Sequence, residues 1–356
     1  MFTNLVTPIG LACLAWAVVY VARIAWRNRQ AKAGIDAAAY GLVPRSELDP
    51  HRPGPPRDEP GLRVAVEAAC DGKWEPVAAL LASAGEDWEL RWRLVSVFAD
   101  VAVEDERWLR IWRAEQPRDA DAVVVHAHAL VLRAWEARGA NYAHQTSDEQ
   151  MALFSELLPT AMYAAQEAAR LAPRDPSPWI TMVAAARGLG LSHDEFRQLW
   201  AELTARAPHH YEAHWQALQY WCQKWYGSHK LMFKFAREAM EAAPAGSLLS
   251  GMYLHAVYEA VRQDGDEAYR TWATKRVLTR VEADIAQAAP DHRRLPEIRH
   301  LLAAVLVKTG RYKEALAQFR LLGGWCGAEP WNDQQDAALA FDQARGLAAL
   351  GAGRRP

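Results

Sequence analysis

Histidines and cysteines are the residues of this chain best suited to chemistry. His210 and His214 stand four apart, with His209 adjacent. On a helix that spacing sets two imidazoles on one face, the geometry of a transition-metal pair. A metalloprotease-type site also needs glutamate directly after the first histidine, and Tyr211 occupies that place. An enzyme or small-molecule sensor would need His209, His210, His214 and His229 to converge around a void. His126 and His128, two apart, point to different helix faces. The favoured reading is structural or surface histidines that hold no metal. Cys13, Cys70, Cys222 and Cys326 form no C-x-x-C pair. That is neither a disulfide framework nor a zinc site, and it fits a reducing compartment. Cys222 is a candidate nucleophile, yet only Lys224 nearby would favour its thiolate. Gly188-Leu189-Gly190 follows no strand, so it reads as an inter-helix turn rather than a dinucleotide loop. Neither a Walker A sequence nor G-x-S-x-G is present. Acid pairs such as Glu104 and Glu106 read as solvated helix surface. No catalytic residue and no cofactor is indicated.

The elements that would position any site are helices. Ala, Leu, Glu and Arg dominate, all strong helix formers, and alternating Val/Ile/Thr runs are scarce. Sixteen tryptophans suit the shared cores of helix pairs. Residues 86–101 place Trp88, Trp92, Val95 and Phe98 at three- and four-residue steps, a broad apolar stripe. Ser147 with Gln150, and Ser192 with Glu195, match the capping box, and Ser228 can open a further helix. Gly139 suits a helix end. The net charge of −2 gives no long-range attraction to nucleic acid, so none is expected as a partner.

Alanine-proline pairs at Pro173, Pro208 and Pro244 close successive helices at steps of 35 and 36 residues. A tetratricopeptide repeat has about 34. Leu302, Ala303, Leu306, Gly310, Tyr312, Ala315 and Phe319 match that repeat better still. Residues 160–325 therefore resemble tetratricopeptide repeats. Gln219 to Glu241 and Trp135 to Gly139 resemble a family of bacterial proteins, largely actinobacterial, with a tetratricopeptide-like fold. That resemblance implies a fold and no activity. Steps of 46 residues (Pro244 to Pro290) and 56 (Pro117 to Pro173) make the array irregular. The expected fold is all-α: an irregular tetratricopeptide-like helical-repeat solenoid with one amino-terminal transmembrane helix.

Leu5 to Ala22 carries no charge. At about 1.5 Å per residue it reaches roughly 27 Å, close to the ~30 Å of a bilayer core. Arg23, Arg27, Arg29 and Lys32 follow it, and no basic side chain precedes it. The positive-inside rule then predicts a single-pass anchor in the cytoplasmic membrane, amino terminus outside and the remainder in the cytoplasm. The expected organisation is an anchor with basic flank over 1–32, a Pro-rich linker over 33–60, a helical-repeat domain over 61–350 and a flexible tail over 351–356.

A helical-repeat solenoid offers the first helix of each pair to a peptide or protein partner. Aligned to the repeat, the inner-face candidates are Ile180, Ala184 and Arg187, then Trp215, Gln219 and Gln223, with Trp225 nearby, then His300, Ala304 and Lys308. Aromatics at helical spacing are more often core than interface. The functional expectation is a membrane-anchored, non-catalytic scaffold that recruits a protein or peptide. The alternative is an enzyme or sensor with a pocket among the irregular units.

Overall fold

The computed structural model describes residues 34–51, 60–139 and 147–353. The expected anchor and its topology lie outside these residues. Among the described residues the protein is all-helical, with sixteen α-helices and no strand beyond one isolated bridge. None of these helices is long and apolar enough to cross a membrane.

Where the sequence reads as one helical domain over 61–350, the chain folds into two compact units divided at Ala243 and Pro244. The first contains α1 (Leu62–Cys70), α2 (Glu75–Ser83), α3 (Trp88–Glu104), α4 (Arg107–Glu115), α5 (Ala120–Arg138), α6 (Asp148–Leu171), α7 (Ser177–Leu189), α8 (His193–Arg206), α9 (Tyr211–Tyr220) and α10 (His229–Ala242). Local chemistry sets the ends of these helices. Ser147 and Ser192 each form the reciprocal capping box. Ser228 accepts from the Leu231 amide. Ala172, Ala207 and Ala243 terminate helices immediately before their prolines. Gly190 ends α7 in the left-handed region, as a turn residue should. Gly188 instead lies inside α7, where α6 approaches so closely that a Cβ would overlap Leu158 and Phe154.

Alternate helices are neighbours in this unit: α1 packs on α3, α3 on α5, α5 on α7 and α7 on α9. The apolar stripe of α3 places Trp92, Leu94, Val95 and Phe98 in the core, worth about 1.5–3 kcal/mol for each large side chain fully buried. Trp74 stacks on Trp112 at 5.4 Å, and Trp108 lies edge-on to Phe98. A charged group is buried among them. Arg91, 8 % exposed, donates from Nε to Asp175 at 2.7 Å, to the Leu81 carbonyl at 3.2 Å and to Asp121.

The second unit contains α11 (Gly251–Asp264), the single turn α12 (Glu267–Arg270), α13 (Trp272–Gln287), α14 (Leu295–Lys308), α15 (Tyr312–Leu322) and α16 (Ala337–Ala352). Here α11 packs on α14 and α14 on α16, while α13 and α15 each pack on the next helix in the chain. The α16 helix continues through Ala352 into the stretch expected as tail. Residues 34–51 belong to this unit. Where the composition reads as a spacer, Tyr40 and Leu42 are buried. Arg345 donates to the Val43 carbonyl at 2.7 Å, and Arg320 to that of Tyr40 at 2.8 Å. Asp49 pairs with the backbone at 324–326. Gly324 and Gly327 make room for this strap, since a Cβ at either would overlap the Glu47 or Pro50 carbonyl.

Candidate functional site

Three helices and two connecting segments of the second unit enclose a cleft of about 680 Å³, within the ~300–1,000 Å³ of ligand sites. Each helix contributes one stripe at three- and four-residue spacing, as a helix face must. Tyr258, Val261 and Arg262 come from α11; Ala304, Val307 and Lys308 come from α14; Ala340, Gln343, Ala344 and Leu347 come from α16. Asp266 and Tyr269 line it from α12 and its N-cap. Pro330, Trp331, Asp333 and Gln334 close it from the loop before α16.

The charges at its mouth are paired. The Tyr258 hydroxyl donates to Asp333, whose carboxylate also meets Arg262 Nε at 3.2 Å. The Arg262 guanidinium stands 5.7 Å from the Tyr258 ring centre. Burial, reinforced by the bond to Asp333 and its charge, pushes the Tyr258 hydroxyl's ionisation well above its ordinary range. Across the cleft, Lys308 Nζ donates to Asp266 at 2.7 Å and lies 5.6 Å from the Tyr269 ring centre. Burial, then the Asp266 charge, raises the Tyr269 hydroxyl to about 12. The Tyr269 hydroxyl and the side-chain amides of Gln334 and Gln343 have no hydrogen-bond partner among the described residues.

Trp331 joins the cleft to the core. Its indole N–H donates to His300 Nδ1 at 2.9 Å. That bond assigns the proton to Nε2, which has no partner among the described residues. Burial lowers the pKa of His300 to about 3. The ring packs against Trp325 and Phe341.

Of the residues expected to meet a partner, Lys308 lines this cleft together with Ala304. His300 does not: it is 0 % exposed, because α14 is covered on nearly every side. The other expected residues belong to the first unit. Ile180 and Ala184 are buried, and so is Gln219. Trp215 is half-buried, while Gln223 is exposed but lies beyond the end of α9, off its inner face. Arg187 and Trp225 do come together. The Arg187 guanidinium lies 4.4 Å from the Trp135 ring centre and 5.3 Å from that of Trp225, and Arg138 lies 5.0 Å from Trp225. These half-buried rings and cations pack on one another, and Trp135 also lies edge-on to Phe154.

His210 and His214 take structural positions, and His209 is exposed. His210 is the N-cap of α9, accepting from Ala213, and its Nε2 lies 3.2 Å from the Trp88 carbonyl. His214 is buried edge-on to Trp200, and burial lowers its pKa to about 4. Among the described residues no three His, Cys, Asp or Glu side chains could hold a metal ion. Cys222 is buried, with its thiol against the Leu218 carbonyl at 3.3 Å.

Sequence reasoning missed Tyr258, Tyr269, Trp331 and Asp333. The available signal was the pair of alanines one turn apart, Ala340 and Ala344, which leaves space beside α16 for an occupant. No protein-family model matches the chain, and no curated protein matches it.

Proposed function

We propose that this protein is a non-catalytic, membrane-tethered interaction module whose carboxy-terminal helices bind a protein or peptide segment. The observation that carries the reading is the cleft itself: α11, α14 and α16, which pack on one another in that order, each present one stripe to the same 680 Å³ space. In a tetratricopeptide-like solenoid those are the first helices of successive pairs, and their shared face is where an extended segment lies. In the first unit, packing of alternate helices runs through α1, α3, α5, α7 and α9, which supports the resemblance to that repeat class. The uncharged stretch Leu5–Ala22 with its basic flank supports a single-pass anchor in the cytoplasmic membrane. Tethering would concentrate the partner beside other membrane components. The cleft volume also suits a small molecule, and that second reading rests on the volume alone.

Photocrosslinking separates the two. A benzophenone amino acid replaces Gln343 in the cleft or, as a control, the exposed Tyr163 of α6. A polypeptide adduct from position 343 that is missing from position 163 supports the module. An adduct of small-molecule mass, or none, sinks the polypeptide reading.

A further inference from the structure

The chemistry of the cleft lining narrows its occupant. We infer that the segment it accepts is uncharged where it is buried: apolar side chains on a peptide backbone whose amides pair with Gln334 and Gln343. This rests on the reading of the cleft as a polypeptide site. Its lining holds two cations, Arg262 and Lys308, and two carboxylates, Asp266 and Asp333. They are already joined as Arg262–Asp333 and Lys308–Asp266. Each pair has a further tie, since the Tyr258 hydroxyl donates to Asp333 and the Lys308 ammonium lies over Tyr269. An acidic or basic residue entering the cleft finds its natural partner engaged. It must open a half-exposed ion pair or remain unpaired once the segment has excluded water, and either weakens binding modestly.

Among the described residues the uncommitted groups are neutral: the Tyr269 hydroxyl and the amides of Gln334 and Gln343. A carboxamide donates and accepts at once, and so does each peptide unit of a ligand. Val261, Val307 and Leu347 supply the apolar wall against which an aliphatic or aromatic side chain would be buried. Charge and hydrogen-bonding capacity therefore select the same class of segment.

The test uses the full chain in detergent, immobilised and titrated with acetylated, amidated nonapeptides. Their cores contain Ala, Leu, Phe and Pro, and matched members carry one central Glu or Lys. The uncharged members are expected to bind, and a central charge to weaken binding up to about fivefold. Asp333→Asn releases Arg262 from its carboxylate, so the Glu member should regain most of that loss. Gln343→Leu keeps the helix and should weaken the uncharged members about fivefold. Tighter binding of a charged member to the wild-type chain overturns this inference while leaving a polypeptide site in place. So does an Asp333→Asn chain with unchanged preference. If no nonapeptide binds a chain whose helicity is intact, both this inference and the polypeptide reading fall.

Discussion

The indole of Trp331 donates to Nδ1 of His300 across 2.9 Å, joining a cleft residue to a fully buried imidazole. Burial holds that imidazole neutral to about pH 3, against an ordinary value of 6.5. Between those values the unfolded chain binds a proton that the folded chain does not. Stability therefore falls as pH drops below 6.5, and nothing is lost above it. The full penalty from this ring is on the order of 5 kcal/mol. His300→Gln should flatten the slope of stability against pH by about 1.4 kcal/mol per unit in the transition of the second unit. Urea titrations at several pH values would check it, and an unchanged slope would refute it.

Helix ends were legible because their chemistry is local. Ser192 and Glu195 are three residues apart, and the cap they form requires nothing from elsewhere. The cleft was not legible, because its pairings bridge distant segments: Tyr258 meets Asp333 across 75 residues. His300, Ala304 and Lys308 share a helical stripe, and only the neighbours of α14 determine that the first is buried while the other two line the cleft. The strap over 34–51 was missed for a different reason. Carbonyls of Tyr40 and Val43 hold it, and backbone atoms leave no mark on composition.

Arg345 should be the clasp of that strap. It is 1 % exposed and donates both to Val43 and to Asp342, from Nε at 2.9 Å. Arg345→Met leaves a buried carboxylate without its nearest cation, at a cost of about 3–5 kcal/mol. Limited trypsin digestion should then cut after Arg45 much faster than in the parent. Equal cleavage rates would mean that the strap is held by other contacts.

In the first unit, Arg91→Met should destabilise by about 3–5 kcal/mol, since it strands Asp175 and Asp121 in the interior. Adding Asp121→Asn and Asp175→Asn should recover part of the loss, because the penalty comes from uncompensated charge. Urea unfolding of the single and triple variants measures both. A triple variant no more stable than the single one would place the cost in lost packing of the arginine stem instead.

Gly188 and Gly190 should respond to alanine for different reasons. At Gly188 the new methyl runs into Leu158 and, at 2.6 Å, Phe154. Overpacking of about 1–3 kcal/mol is offset by the roughly 1 kcal/mol that alanine gains over glycine within a helix. At Gly190 the backbone φ of +67° disfavours any Cβ, and the Tyr226 hydroxyl would sit 2.9 Å from it. Alanine there has no helical gain to offset the strain. Both variants should lower the unfolding midpoint, and trimming Phe154 to Leu should rescue Gly188→Ala alone. Rescue of both would mean that the two sites share one cause.

Lys308→Met isolates the electrostatics of the cleft from its stability. The Lys308 side chain is about half exposed (48 %) and its pair with Asp266 is at the mouth. Exposed pairs contribute about 0–1 kcal/mol, so the unfolding midpoint should barely move. Methionine keeps the apolar stem beside Val307 while leaving the Asp266 carboxylate without its cation. A nonapeptide with a central Lys should then bind better than it does to the parent chain, and one with a central Glu worse. That change of sign requires the carboxylate to face the occupant. If neither peptide responds, Asp266 and Lys308 lie outside the bound segment's footprint, and recognition must be sought at Tyr258, Asp333 and Arg262.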